Sequence, residues 1–192
     1  MQVSNNVSAK PVKSKHRLQR PPDFTGGYLT RFRQVWLRHG LPGALLGLLC
    51  LAHPEMRLML VASLEGFLTN PVRYVSVALL ILAVLIAYIG VIDRAIDARA
   101  VAWILYALAI SVWEEWVFRL VVPYFAQAQG FNLFAAIVLA NLAFGVLHYF
   151  TLRWKWQWCL GAFVGGMLFS RMLHTHADLA LVIGVHWIST FL

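Results

Sequence analysis

The chain has 192 residues, of which 60% are hydrophobic and only 12% are charged. Because soluble domains carry about twice that charged fraction, the composition excludes an ordinary soluble protein and predicts an integral membrane protein of one domain. The net charge of +8 is unevenly placed. The first 38 residues hold the single acid Asp23 against eight basic side chains: Lys10, Lys13, Lys15, Arg17, Arg20, Arg31, Arg33 and Arg38.

The N-terminal segment is polar as far as residue 27 and contains the pairs Pro21-Pro22 and Gly26-Gly27. We therefore expect residues 1–27 to form a disordered arm ahead of a transmembrane domain over residues 28–192. Basic residues beside membrane spans predict an anchor on anionic lipid at the cytoplasmic face, and not a nucleic-acid-binding surface. Cys50 and Cys159 both fall in apolar runs, which predicts that they form no disulfide.

The apolar segments predict an all-α, polytopic transmembrane helical bundle with about six spans. In chain order they cover Leu41–Leu68, Val72–Ile92, Val101 to about Gln129, Phe131–Phe150, Leu160–Leu173 and Leu179–Leu192. The first segment is broken at His53-Pro54-Glu55, and the third contains Pro123, where we expect a kink. Gly161, Gly165 and Gly166 in the fifth predict the close approach of another helix.

The loops between these spans predict the orientation of the chain. With six spans and a cytoplasmic N-terminus, the turns at 93–99 and 151–157 lie inside and carry Arg94, Arg99, Arg153 and Lys155. The turn at 123–131 lies outside and carries no Lys or Arg. This distribution follows the positive-inside rule, and we expect the chain to reside in the cell (inner) membrane.

The third span carries two adjacent acids, Glu114 and Glu115. At membrane depth an ionisable side chain is costly and usually faces a bundle interior or a watery cavity, so the pair indicates a functional site. Glu115 and Arg119 stand four residues apart and can form an ion pair on a helix. Glu114 points about 140° away from Arg119, since each residue turns a helix by about 100°. We expect Glu115 to be structural and Glu114 to be free for chemistry, unless both acids simply pair with neighbouring helices.

Two histidines in later spans are the natural companions of these acids. His148 shares a helical face with Phe144 and Asn141, and His186 shares one with Thr190. Measured from the turn near Gly130, Glu115 and His148 lie 15 and 18 residues away, which at about 1.5 Å per residue places them at similar depth in an antiparallel helix pair. The acids and His148 are therefore expected to meet.

Taken in order, Glu114-Glu115-x-x-x-Arg119, Phe144-x-x-x-His148 and His186-x-x-x-Thr190 each lie on their own apolar helix. This series resembles the CAAX prenyl protease and bacteriocin-processing (CPBP, or ABI) family of glutamate-type intramembrane proteases. The resemblance covers residues 100 to 192. The third motif departs from the family, because Thr190 stands where the family most often has Asn. A hydroxyl offers one donor hydrogen where an amide offers two.

The resemblance implies a protease in which Glu114 and His148 activate a water that attacks a peptide carbonyl. His186 and Thr190 would donate to the developing oxyanion, and Glu115 and Arg119 would hold the geometry. The implied partner is a membrane-embedded or membrane-anchored protein or peptide, cleaved near a C-terminal segment. The resemblance implies no cofactor, and whether the substrate is prenylated is not readable from the chain.

Two alternatives stay open. A zinc-dependent hydrolase could use Glu114, His148 and His186, with His174 or His176 nearby. It is not favoured, because the sequence has no His-Glu-x-x-His and His174 and His176 fall in a predicted polar turn over residues 174–178. The other alternative is a non-enzymatic membrane protein, such as a transporter subunit or scaffold, whose buried acids relay protons.

Overall fold

The computed structural model describes residues 32–92 and 97–190. Within these ranges the chain forms eight helices and no strand, which confirms the predicted all-α bundle. We label them α1 (Phe32–Cys50), α2 (Pro54–Ser63), α3 (Glu65–Thr69), α4 (Pro71–Ile92), α5 (Ala98–Ala128), α6 (Leu133–Thr151), α7 (Trp156–His176) and α8 (Leu179–Ser189). The predicted disordered arm over residues 1–27 and its lipid anchor lie outside the described residues.

Helix α5 carries both acids and is the longest helix of the described chain. It begins slightly earlier than the expected Val101, because the Asp97 side chain accepts from the Ala100 N–H at 2.7 Å and caps the first turn. It continues past Pro123 to Ala128, as the sequence predicts. The irregularity lies before the proline, where Trp116–Val121 form a π-helical segment. Proline provides no N–H for the carbonyl four residues back and its ring crowds that carbonyl, which accounts for the wider turn.

A second π-helical segment, Trp36–Gly40, lies in α1 and has the same cause. Pro42 follows it and removes the N–H that would otherwise bond to the carbonyl of Arg38. Both wide turns therefore precede a proline. The one in α5 adjoins the two acids, and the one in α1 brings a side chain towards them. Helix α1 then ends at Cys50, and the chain bends by 107° into α2.

Helix α1 lies directly against α5 through glycine. A Cβ at Gly47 would lie 2.5 Å from the Trp113 ring, and one at Gly40 would lie 2.8 Å from the Tyr106 ring. The Trp116 indole N–H also donates to the Gly47 carbonyl at 3.1 Å. Because Gly40 and Gly47 meet α5 in the same sequence order, the two helices run in the same direction. Close approach at these glycines fixes the depth of α1 along α5.

Helices α5, α6 and α7 form the centre of the bundle. Gly130, with φ 91°, makes the tight turn between α5 and α6, and Asn132 caps α6 by accepting from the Ala135 N–H. Helix α7 is longer than expected and includes His174 and His176, so the predicted polar turn is wrong. Its helical periodicity continues until Ala177, which adopts the left-handed conformation with φ 50°.

The position of α8 explains how a short helix brings His186 to the depth of the acids. Asn141 of α6 donates to Ser170 of α7 at 3.0 Å, so these residues lie at one level. Asn141 is 11 residues from Gly130 and Ser170 is 7 residues from Ala177, which places the start of α8 about 6 Å further into the bundle than the α5–α6 turn. Asp178 caps α8 there and accepts a hydrogen bond from the Tyr74 hydroxyl.

The outer surface of the bundle is apolar, and the protein is an integral membrane protein. Only 11% of the apolar stretch of α4 is buried against the protein, so most of this helix is left for lipid. By length and composition, α4, α5 and α6 can each cross a bilayer, and a fourth crossing results if the bent pair α1–α2 counts as one span. These figures concern residues 32–92 and 97–190 alone, and the count of six spans stays a prediction. Cys50 of α1 and Cys159 of α7 form no disulfide with each other.

Topology can be tested at the two ends of α6. In a background without Cys50 and Cys159, we expect Gln129→Cys and Arg153→Cys to be labelled by a membrane-impermeant thiol reagent from opposite sides, because α6 separates them. Leu79→Cys, on the lipid-facing surface of α4, is the control and should resist the reagent from both sides. Labelling of Gln129→Cys and Arg153→Cys from one side would contradict the six-span topology.

Candidate active site

The Glu114 side chain is buried and is surrounded by histidine. Its Oε1 lies 2.8 Å from His39 Nε2 and 3.4 Å from His148 Nε2, and its Oε2 lies 3.6 Å from His186 Nε2. These histidines come from α1, α6 and α8, so four helices including α5 meet at one carboxylate. A buried carboxylate is costly unless charge or hydrogen bonds compensate it, and the His39 imidazole lies at hydrogen-bond distance here.

Glu115 has a different environment, as its position relative to Arg119 predicts. Its Oε2 lies 2.8 Å from Arg119 Nε, and its Oε1 accepts from Arg119 Nη2 at 3.1 Å. Two nitrogen–oxygen contacts therefore join this i,i+4 ion pair. Arg119 Nη1 also donates to Asn141 Oδ1 at 2.8 Å, and the guanidinium carbon lies 4.8 Å from the centre of the Phe144 ring. The Arg119 guanidinium is therefore held by Glu115 and by two residues of α6.

The partners of the imidazole rings indicate which nitrogen carries the proton. His148 Nδ1 lies 2.7 Å from the Phe144 carbonyl, which can only accept, so Nδ1 is the donor. His186 Nδ1 lies 2.7 Å from Glu115 Oε1, which Arg119 holds as a carboxylate, so this Nδ1 also donates. In both neutral rings the lone pair then lies on Nε2 and faces Glu114. The arrangement presents two nitrogen bases to the space around one carboxylate.

Thr190 is placed differently from the other predicted residues. Its hydroxyl donates to the His186 carbonyl at 3.1 Å, within its own helix. A hydroxyl has a single hydrogen, so Thr190 can donate to a reacting oxygen only after this bond is broken. Of the six residues expected at the site, the structure therefore brings Glu114, Glu115, Arg119, His148 and His186 into direct contact, with Thr190 one turn beyond His186.

Sequence reasoning missed His39, although it lies nearest to Glu114 of the three histidines. The available signal was a single histidine in Trp36-Leu-Arg-His-Gly40, at the border between the basic segment and the first apolar run. Nothing in a local pattern connects that position to α5. Trp154 also lies at the site, and its ring is 4.6 Å from the His148 ring.

The site also offers a ligand set that suits a metal ion. His39, Glu114 and His148 are buried, and one ligand atom from each lies within 4.8 Å of the other two. Two imidazole nitrogens and a carboxylate oxygen are typical zinc ligands. From the sequence, the possible zinc ligands beside Glu114 and His148 were His186, with His174 or His176 nearby. Among the described residues, however, the group with metal-binding distances includes His39 in their place.

Comparison with known proteins connects this geometry to a family. A model of the family described as type II CAAX prenyl endopeptidase Rce1-like matches residues 96–192, which is half of the chain. The chain belongs to this family. No curated protein and no solved structure gives a significant match.

Membership in the Rce1-like family bears out the family that the three motifs suggested. The matched residues include α5 to α8 and hence every site residue that the sequence singled out. The family is one of proteases, which supports peptidase activity and a peptide substrate for this chain. His39 lies outside the matched residues and is supplied by the N-terminal part of the bundle.

The different environments of the two acids predict different mutant phenotypes. Glu115→Gln leaves the buried Arg119 without its counter-charge, and breaking a buried ion pair in this way costs about 3–5 kcal/mol. We expect this variant to unfold at a lower temperature in detergent than the wild type. Glu114→Gln keeps a hydrogen-bonding group of the same size and should unfold within a few degrees of the wild type.

The control for this comparison is Glu65→Gln, at an exposed position of α3, which should leave the unfolding temperature unchanged. Equal unfolding temperatures for Glu115→Gln and the wild type would contradict the structural role of Glu115.

Adjacent glycines of α7 provide a second test of the Arg119 environment. A Cβ at Gly166 would collide with the Asn141 side-chain oxygen that holds Arg119, whereas a Cβ at Gly165 meets nothing within 4 Å. The predicted close approach therefore applies to Gly166 but is wrong for Gly161 and Gly165, whose faces are open.

We expect Gly166→Ala to destabilise the protein by about 1–3 kcal/mol, because Asn141 must move from Arg119. Gly165→Ala should be neutral or stabilising by up to about 1 kcal/mol, because alanine is the better helix former. Thermal unfolding of the two variants measures the difference, and equal midpoints would refute the close contact.

Proposed function

We propose that the protein is an intramembrane endopeptidase that hydrolyses a peptide bond near a membrane-associated, C-terminal segment of its substrate. Glu114 and His148 would activate the attacking water. The proposal is supported by one observation above all: Glu114 is buried among imidazoles, while the neighbouring Glu115 is committed to Arg119. The two acids therefore have separate environments, and only Glu114 lies close to imidazole nitrogens from three different helices.

In the proposed reaction, Glu114 accepts a proton from the water while His148 Nε2 orients it. The water oxygen forms a bond to the carbonyl carbon, and the carbonyl electrons move to oxygen to give a tetrahedral oxyanion. Collapse of this intermediate breaks the C–N bond, and the proton held by Glu114 passes to the leaving nitrogen. The products are a carboxylic acid and an amine, and no oxidant or other reactant is needed.

We assign stabilisation of the oxyanion to His186. Its Nδ1–H is already donated to Glu115, so Nε2 can donate only when the ring is doubly protonated. Its two ring nitrogens lie 3.6 Å from Glu114 Oε2 and 2.7 Å from Glu115 Oε1, so carboxylates stand on both sides of the ring. One well-placed donor of this kind is typically worth about 3–4 kcal/mol in the transition state. Thr190 could add a second donor after release of its bond to the His186 carbonyl.

The family description names prenyl endopeptidases of the CAAX type. We extend to this chain a membrane-anchored peptide substrate, with a prenylated C-terminus as one member of that class. We further propose that the protein resides in the cell membrane with its N-terminus in the cytoplasm, on the basis of the Lys and Arg distribution between the loops. The basic N-terminal arm would lie on anionic lipid.

A zinc-dependent hydrolase is the second candidate, because His39, Glu114 and His148 have the spacing of metal ligands. In that case the ion would activate the water, and Glu114 would be a ligand in place of a base. The two candidates make opposite predictions about chelation and can be separated with one preparation.

The test uses protein reconstituted in liposomes with a library of lipid-anchored peptides that includes farnesylated Cys-a-a-X sequences. Cleavage is read by mass spectrometry, with Glu114→Gln as the blank, and the best Glu114-dependent peptide becomes the reporter. Complete absence of Glu114-dependent cleavage across the library would overturn the proposed endopeptidase.

We expect exhaustive chelation to leave reporter cleavage by the wild type unchanged, because Glu114 and His148 need no ion. His186→Ala should lower turnover by about 10²–10³, with no recovery on addition of zinc. Loss of activity on chelation, with zinc restoring the wild type but restoring His148→Ala poorly, would instead establish the zinc-dependent candidate.

A further inference from the structure

His39 is an unassigned member of the site. It lies in the π-helical segment of α1, outside the residues that match the family, and its nearest nitrogen is 2.8 Å from Glu114 Oε1. That distance is shorter than those from Glu114 to His148 and to His186, which are 3.4 and 3.6 Å. His39 is only 5% exposed, so it does not contact Glu114 merely as a surface side chain.

A short chain of contacts holds both ring nitrogens of His39. The Thr151 hydroxyl donates its single hydrogen to the Leu147 carbonyl at 2.8 Å. Thr151 Oγ1 also lies 2.9 Å from His39 Nδ1, so this hydroxyl holds the ring from the side opposite Glu114. The other ring nitrogen, Nε2, faces the Glu114 carboxylate oxygen. A carboxylate oxygen accepts, so His39 Nε2 donates the hydrogen of this 2.8 Å contact to Glu114.

The backbone around His39 is held firmly in place. Gly40, the next residue, lies against the Tyr106 ring of α5, and Arg38 donates to the Phe150 carbonyl of α6 at 3.3 Å. Pro42 follows and is responsible for the wide turn that contains His39. π-Helical turns occur frequently at functional sites, where they direct a side chain that a regular helix would orient differently.

We propose that His39 is a positioning residue of the active site that acts through Glu114. Its hydrogen bond holds Oε1 of the carboxylate, which leaves Oε2 directed towards His186 and available to the attacking water. Thr151 in turn holds the His39 ring. This inference rests on the proposed function, and it makes α1 part of the catalytic unit together with the matched residues 96–192.

The test compares three substitutions in the reporter assay. His39→Gln places an amide donor near the position of Nε2 and keeps a hydrogen bond to Glu114. His39→Leu has a similar volume and provides no donor. We expect His39→Gln to retain kcat within about tenfold. We expect His39→Leu to lower kcat by about 10², with KM changed less than threefold, because misplacement of a catalytic group by about 1 Å has that effect.

Thr151→Val removes the hydroxyl that holds the His39 ring and leaves the core of the bundle intact. We expect it to lower kcat by about three- to tenfold in the wild type and to have no effect in the His39→Leu background, since neighbours in one network are not additive. His53→Gln, at an exposed position at the start of α2, is the control and should match the wild type. Thr151→Val decides the question if His39→Leu fails to fold.

These results separate failure of the inference from failure of the proposed function. If Glu114→Gln abolishes cleavage but His39→Leu folds and turns over like the wild type, the positioning role is wrong and the proposed function stands. Equal losses in His39→Gln and His39→Leu would also overturn it, because the donor would then make no difference.

A measurement independent of cleavage covers the case of an inactive preparation. In protein with ¹⁵N-labelled histidine, the His39 ring signals should shift on Glu114→Gln and stay unchanged on Glu65→Gln. Unchanged His39 signals in Glu114→Gln would overturn the inference, whatever the activity. A shift without any cleavage would support the contact and would count against the proposed function alone.

Discussion

The buried ion pair between Glu115 and Arg119 is the interaction on which the arrangement of the site depends. Two adjacent carboxylates in an apolar bundle require compensating charge, and a single arginine can satisfy one of them well. Arg119 contacts Glu115 through Nε and Nη2, and its Nη1 donates to Asn141. Glu114 is therefore left to the imidazoles, and the different environments of the two acids follow from that choice.

Helix α5, which carries this ion pair, has an irregular backbone beside it. The π-helical segment Trp116–Val121 follows the acids directly and contains Arg119, and Pro123 accounts for its wider turn. A similar segment before Pro42 carries His39. Backbone irregularity at membrane depth is tolerated where neighbouring helices satisfy the freed groups. In both places the irregular turn is covered by the partner helix, because α1 and α5 pack directly on each other through Gly40 and Gly47.

The imidazoles around Glu114 are held from behind by groups of different kinds. The Phe144 carbonyl holds His148, the Glu115 carboxylate holds His186, and the Thr151 hydroxyl holds His39. Each of these contacts fixes Nδ1 and turns Nε2 towards the same carboxylate. Orientation of this kind is supplied before any substrate arrives, which is how a site can favour a transition state without reorganising. The same convergence explains why the set also resembles a zinc site.

Local sequence determined much of the fold and the centre of the site. Composition specified a membrane protein, apolar runs gave the helices, and the spacing of Glu115 and Arg119 gave their ion pair, because helical geometry over four residues depends only on the backbone. Similar distances from the turn at Gly130, 15 and 18 residues, likewise brought Glu115 and His148 to one level. These features depend on local periodicity or on one short hairpin, and a sequence contains both.

Only the tertiary structure decided which distant residues complete the site. His39 and Glu114 are 75 residues apart, and their contact depends on the packing of α1 against α5 at two glycines. The same holds for Gly166, which faces Asn141 while Gly165 faces open space, and for Thr190, whose hydroxyl returns to its own helix. Helix rotation and approach are set by the summed packing of many side chains from different helices, and no local pattern encodes that sum.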